Sequence, residues 1–275
     1  MSTARTEKFE LIGADGGPLR GDVRTAGDGS GRPAVVLCHG FKGAKDWGFF
    51  PQLAERLARA GMTAISFNFS GSGVGADGDG FAEPERFARS TFSNDLKDVD
   101  TVCKALSKGA LVEGLVALPT YGLYGYSRGG GAAVLHAAEN PAVMSLVTWA
   151  AISHVNRWDS ETLDEWRESG VRVPPGENNG DQLVFGTEML DNIQMHAEFL
   201  DITSAASRVG APWLILHGKA DDFVPVSEGE QLQGAATLTD ASLRVFDGGN
   251  HTFSAVGQLD YALDQTLGWF SRHLF

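Results

Sequence analysis

The chain has 275 residues, 43% of them apolar, and its 22 basic and 35 acidic side chains give a formal net charge of −13. That apolar share supports a sizeable globular core and excludes a disordered chain. A surface this acidic repels phosphate backbones and anionic lipid, which argues against nucleic acid and membranes as partners.

Short apolar runs then alternate with longer amphipathic stretches. Residues 9–12 and 19–25 read as paired strands around the turn Asp15-Gly16-Gly17-Pro18. Ala34–Cys38 is a continuous apolar run, the pattern of a strand buried on both faces. Residues 51–60 form a predicted helix, opened by Pro51 and closed by Gly61, before a strand over 62–69. Residues 71–80 are a Gly/Asp-rich loop. Its Asp77-Gly78-Asp79-Gly80 lacks the further ligand spacing and closing Glu of a calcium loop, so it reads as solvated. Phe92, Leu96, Val99, Val102, Cys103 and Leu106 lie at helical spacing within 90–107. A short strand at Leu123 and Tyr124 runs into Gly125, a small-residue helix over 132–138 ends at Pro141, and 146–152 is again a strand.

Residues 155–205 break the alternation. They are polar, carry Trp158 and Trp166, and contain Pro174-Pro175-Gly176 and Asn178-Asn179-Gly180. They read as a lid-like insertion of two or three short helices within one domain spanning 1–275. Strands at 213–216 and 243–246 and a helix over about 255–273 resume the pattern. Such alternation implies an α/β fold with a mostly parallel sheet covered on both faces.

The chemistry gathers around Gly125-Tyr126-Ser127-Arg128-Gly129, between a strand and a helix. A serine on that turn presents its Oγ at the sheet edge, and the small flanking residues avoid clash. A plain helix-capping serine is the alternative. The nucleophile Ser127 needs a base. Of seven histidines, His39 and His217 precede glycines at strand ends and read as structural, and His136 in the helix after the serine reads as packed or surface. His196 lies in the insertion and His273 beside the end of the sequence. His251, in Gly248-Gly249-Asn250-His251-Thr252-Phe253, follows the last strand and reaches the same sheet edge. His154, just past a strand end, is a candidate pocket residue. The orienting acid comes from His217-Gly218-Lys219-Ala220-Asp221-Asp222-Phe223-Val224-Pro225, and the pattern favours Asp221 over Asp222. The order Ser127, Asp221, His251 is that of a Ser–Asp–His triad on this architecture. An oxyanion hole needs two backbone N–H groups, expected from Arg128 and from Phe41 in His39-Gly40-Phe41-Lys42-Gly43. No Cys/His cluster suggests zinc, and the glycine-rich loops lack a phosphate-binding pattern, so no metal is expected.

Leu37-Cys38-His39-Gly40-Phe41, Phe67-Asn68-Phe69-Ser70-Gly71-Ser72-Gly73, Gly125 to Gly129, His217 to Pro225 and Gly249 to His251 follow one another as they do in the α/β-hydrolase superfamily, which the chain resembles over nearly its whole length. Within it, the layout resembles compact bacterial serine esterases of the feruloyl/cinnamoyl-esterase and dienelactone-hydrolase-like groups. Dienelactone hydrolases proper use a cysteine nucleophile, from which Ser127 departs. The resemblance implies an eight-stranded, mostly parallel sheet, a small lid and a triad that works without a cofactor.

The expected reaction is hydrolysis of a small-molecule carboxylic ester, short-chain or aryl in its acyl part. Phe41, Trp47 and Phe49 offer an aromatic wall, with core packing an equal alternative for Phe49. Trp158 and Trp166 of the insertion are offered as a cover, with simple packing of the lid onto the body an equal alternative. A peptidase or amidase is an alternative, its amine partner sought among Glu161, Asp164, Glu165 and Glu168, which otherwise read as a solvated helix face. A non-catalytic receptor or a lyase on the same scaffold are further alternatives. A homodimer is left open. Cys38 and Cys103 are too few for a disulfide framework and suit a reducing compartment. With no apolar leader in residues 1–10 and no apolar run of spanning length, a cytoplasmic location is the expectation.

Overall fold

The computed structural model describes residues 4–26, 32–78, 80–174 and 183–275. The chain opens with β1 (Ala4–Ile12), β2 (Pro18–Ala26) and β3 (Ala34–Cys38), then α1 (Phe50–Arg59), β4 (Thr63–Phe67), α2 (Pro84–Ala88) and α3 (Phe92–Ser107). The centre of the fold is β5 (Tyr121–Tyr126), α4 (Arg128–Glu139) and β6 (Val143–Trp149). The insertion follows as α5 (Ser160–Ser169), β7 (Val171–Arg172), β8 (Phe185–Gly186), α6 (Thr187–Met195) and α7 (Ile202–Ala206). The chain closes with β9 (Trp213–Gly218), α8 (Val226–Ala235), β10 (Ala241–Phe246) and α9 (Gln258–Leu274).

Among the described residues the main sheet has eight strands in the order β1-β2-β4-β3-β5-β6-β9-β10, and β7 pairs with β8 apart from it. β1 with β2 and β2 with β4 are antiparallel; the pairings from β4 through β3, β5, β6 and β9 to β10 are parallel. Strand β3 shows why its sequence is apolar without alternation. Ala34, Val36 and Cys38 enter the core on one face, with α3 and α4, while Val35 and Leu37 enter the other, with α1 and α9. Successive side chains of a strand point to opposite faces, so a strand covered on both sides must be apolar throughout. Cys38 and Cys103 are buried free thiols. No helix among the described residues is long and apolar enough to cross a membrane.

The observed elements differ from the sequence expectation in instructive places. α4 begins at Arg128, so Gly129, Gly130 and Gly131 are helical despite poor propensity. Tertiary contact supplies the reason: a Cβ on Gly130 would meet that of Ala151 at 2.5 Å, and one on Gly131 would lie 2.7 Å from Ile202 Cδ1. β6 stops at Trp149 instead of 152, because Ala150 takes φ 46° and turns the chain. Among its described residues the insertion contains three helices, but its polar composition conceals a buried side. Trp166, Leu183, Phe185, Met189, Leu190, Ile193 and Leu200 all join the core that packs on α3 and α4. Its Pro175-Gly176 and Asn178-Asn179-Gly180 lie outside the described residues, as does Asp79 of the Gly/Asp-rich loop.

Candidate active site

Ser127 sits between β5 and α4 with φ 55° and ψ −118°. A non-glycine residue at positive φ costs on the order of 1–3 kcal/mol, so the surroundings must hold it. The Ser127 N–H donates to Trp149 O at 2.9 Å, and its carbonyl accepts from the N–H groups of Gly130 (2.9 Å), Gly131 (3.2 Å) and Ile152 (3.3 Å). The flanking glycines are required by close approach. A Cβ on Gly125 would fall 2.5 Å from Gly129 O, and one on Gly129 would fall 2.2 Å from His39 O. No side chain fits at either distance.

His251 stands in the loop after β10. Its Nε2 lies 3.1 Å from Ser127 Oγ and its Nδ1 2.7 Å from Asp221 Oδ2. A carboxylate at Nδ1 accepts the ring proton there, which leaves Nε2 as an acceptor for the serine hydroxyl. Asp221 belongs to the β9–α8 loop, and its Oδ1 accepts the N–H groups of Phe223 and Val224, each at 2.9 Å. Burial pushes the Asp221 carboxyl up, but the His251 hydrogen bond and the two N–H donors outweigh it and hold the group below the usual range. Asp222, its neighbour, is exposed. His217 is buried, and its Nε2 donates to Val224 O at 2.8 Å, which pins the same loop from beneath. Burial also keeps the His217 imidazole easier to deprotonate than usual.

The loop after β3 faces the serine. His39 Nδ1 donates to Gly40 O at 2.8 Å and Nε2 accepts the Phe69 N–H at 3.1 Å. Burial lowers its pKa to about 4, so it is a neutral structural imidazole. A narrow depression lined by His39, Gly40 and Phe41 on one side and by Asp95 and Arg128 on the other brings the two candidate oxyanion segments together. The Arg128 side chain turns away from chemistry: its Nε donates to buried Asp95 at 2.6 Å, and its guanidinium lies 4.6 Å over the Phe92 ring. That pair anchors α4 to α3. The sequence hinted at it only through an acid at a core-facing helix position.

The expected pocket residues divide. Trp47 is 42% exposed and stacks on Tyr126, the neighbour of Ser127, with ring centres 6.1 Å apart. Phe49 is buried against Tyr126 and Trp149, so core packing claims it. Phe41 stacks on Phe185 of the insertion at 5.3 Å, and Phe185 in turn meets Trp166 at 5.7 Å and Trp158 at 6.3 Å. Trp158 is half-buried, but Trp166 is 1% exposed and packs as core instead of covering a pocket. His154 is exposed and makes its polar contacts with Ser153 Oγ (3.0 Å) and Glu228 (3.5 Å), not with the Ser127–His251 pair. It lines a separate cavity of about 380 Å³ beneath the insertion, with Leu190, Ile193 and Leu200. Glu161, Asp164, Glu165 and Glu168 are all exposed.

Residues 35–265 match the model of the alpha/beta hydrolase family, and the chain belongs to that family. Its curated relatives include a hydrolase and a lipase. The chain is 25% identical over 227 residues to the 2,6-dihydropseudooxynicotine hydrolase of Paenarthrobacter nicotinovorans, covering 80% of this chain and 52% of that protein. It thus spans only about half the length of that relative. It is 24% identical to the monoacylglycerol lipase of Mycolicibacterium smegmatis over the full length of both. Among solved structures, a dienelactone hydrolase from Anabaena variabilis superposes with TM-score 0.68 at 17% identity, covering 99% of this chain and 100% of that one. Est1E from Butyrivibrio proteoclasticus superposes with TM-score 0.68 at 15% identity, covering 96% and 98%. These likenesses show the same α/β-hydrolase fold.

Proposed function

We propose that this protein is a serine esterase that hydrolyses small carboxylic esters through an acyl-enzyme. The observation that carries the reading is the unbroken chain from Ser127 Oγ through His251 to Asp221, at 3.1 and 2.7 Å. In this scheme Ser127 attacks the ester carbonyl as its proton passes to His251 Nε2. Asp221 fixes the imidazole tautomer and stabilises the imidazolium. The N–H groups of Phe41 and Arg128 receive the developing oxyanion. His251 then protonates the departing alkoxide, and water, deprotonated by the same imidazole, releases the acid and restores Ser127. Every proton is returned within the cycle, so the reaction requires no cofactor.

Residues 155–205 act in this reading as a lid within a single domain, meeting the oxyanion loop through the Phe41–Phe185 stack. Trp47 and Trp158 supply partly open ring surface for the substrate. Esters are favoured over peptides because an alkoxide leaves with less help than an amine. The acids of α5 face solvent, which leaves them poorly suited to clamp an amino terminus. The test is kcat/KM for p-nitrophenyl acetate, methyl ferulate and an aminoacyl p-nitroanilide on one preparation, with Ser127→Ala as control. Turnover of the esters above the anilide is expected. A faster anilide would move the reading to an amidase, and silence on all three would move it to a receptor.

A further inference from the structure

The imidazole of His251 has two ring neighbours of opposite character. Tyr126 lies 5.0 Å away and is buried. Phe223 lies 5.4 Å away at 47° and is 70% exposed. Single exposed apolar side chains are common and carry no message by themselves. This one differs because its backbone is held on both sides. Its N–H donates to Asp221 Oδ1 at 2.9 Å, and its carbonyl accepts from Arg157 Nη2 at 3.1 Å. Arg157, on the first turn of the insertion, is in turn held by Glu228 of α8, at 2.8 Å to Oε1 and 3.0 Å to Oε2. The Glu228 side chain is 4% exposed and also receives the Ser153 N–H at 2.7 Å. Burial pushes the Glu228 carboxyl up, but Arg157 and the Ser153 N–H pull it down further, which keeps the clamp ionised. The next carbonyl, Val224 O, is taken by His217.

Two consequences follow. The Phe223 backbone is preorganised, so the ring is presented from a fixed point beside His251 and less freedom is lost when a second ring lies against it. Its place is also chemically defined. His251 Nε2 must come within hydrogen-bond reach of the leaving oxygen, so a ring flanking the imidazole borders the alcohol portion of an ester. We propose that Phe223 is a specificity-determining residue on the alcohol side of the site, where its open ring, held by Asp221 and by the Arg157–Glu228 clamp, favours esters of planar aryl-methyl alcohols over aliphatic alcohols of equal bulk. Arg157 is the positioning residue for that ring. This inference rests on the esterase reading.

The experiment compares kcat/KM for benzyl acetate and cyclohexylmethyl acetate, which share an acyl group and differ in the planarity of the alcohol. Ring–ring contacts of this kind correspond to a preference of about fivefold. Wild type should prefer benzyl acetate by about that factor, Phe223→Ala should erase the preference mainly through KM, and Phe223→Tyr should keep it. Arg157→Gln should weaken the preference in the wild-type background and leave it unaltered when added to Phe223→Ala. An unchanged ratio in Phe223→Ala, or equal losses on both esters, overturns the role of Phe223. A further drop in ratio from Arg157→Gln on top of Phe223→Ala overturns the clamp. If wild type turns over neither acetate nor p-nitrophenyl acetate, the esterase reading itself fails and this inference with it.

Discussion

The turn around Ser127 and the insertion at 155–205 are held by opposite means. The turn relies on backbone. Four main-chain hydrogen bonds converge on Ser127, and Gly125 and Gly129 stand where no side chain can fit. The insertion relies on side chains. Trp166, Phe185, Met189 and Leu190 anchor short helices that carry exposed acids on their outer faces. A backbone-held turn keeps a reactive atom within tenths of an ångström. A side-chain-held segment tolerates change on its outer face and suits substrate choice better than chemistry. The contrast predicts that perturbing the turn removes catalysis and that perturbing the insertion removes stability.

The largest effect tests the turn. Ser127→Ala should lower kcat on p-nitrophenyl acetate by roughly a millionfold, the scale of nucleophile loss in a comparable triad, while far-UV circular dichroism stays unchanged. Retention of near wild-type kcat would reassign the nucleophile. Next, Asp221→Asn should lower kcat by about ten-thousandfold through the wrong imidazole tautomer. Asp222→Asn, on an exposed neighbour, should change it far less. A larger defect at Asp222 would reverse their roles.

The insertion is tested by Trp166→Ala. Loss of a fully buried indole should cost about 3–5 kcal/mol in urea unfolding, with a much smaller proportional change in kcat of the folded fraction. A variant as stable as wild type would show that the insertion does not share the core.

The smallest effect is the pH dependence of the body to which both regions attach. His39 and His136 are buried with pKa lowered to about 4. Each is neutral when folded and gains a proton on unfolding below its ordinary value near 6.5. Stability is therefore lost as pH falls from about 6.5 to 4, by about 3 kcal/mol per histidine. Asp98 opposes this. Burial raises its pKa to about 6, so its cost as a buried anion is relieved by about 3 kcal/mol over the same fall. Among these three groups the balance is a loss of about 3 kcal/mol by pH 4, and Asp221 and Glu228, both held below the usual carboxylate range, act in the same direction as they protonate. The unfolding free energy of wild type should drop accordingly, and His136→Gln should flatten the slope. A slope unaltered by His136→Gln would remove that histidine from the account.

The difference between the regions also explains what could be read in advance. The turn was legible because each constraint there is a residue identity: glycine at 125 and 129, serine between them, and small residues after. The strand β3 was legible because burial on both faces leaves no polar position. The insertion was misjudged because only one residue in three or four of a short helix needs to be apolar to bury it, and Trp166 sits among acids that face water. Trp166 was accordingly offered as a pocket cover with packing as an equal alternative, and the structure takes the packing. His154 was read as lying just past a strand end, but β6 stops at Trp149, and the irregular chain that follows turns it toward Ser153 and Glu228.

Sequence by itself determined the alternation of strand and helix, the order Ser127, Asp221, His251 and the family, because periodicity, turn residues and local motifs are properties of neighbouring positions. Only tertiary structure decided that Phe223 flanks the imidazole, and that Arg157 and Glu228, 71 residues apart, close a clamp on the Phe223 carbonyl. Those are meetings of side chains from separate loops, set by the register and crossover of the sheet strands beneath them, and no local pattern along the chain records the distance between two loops.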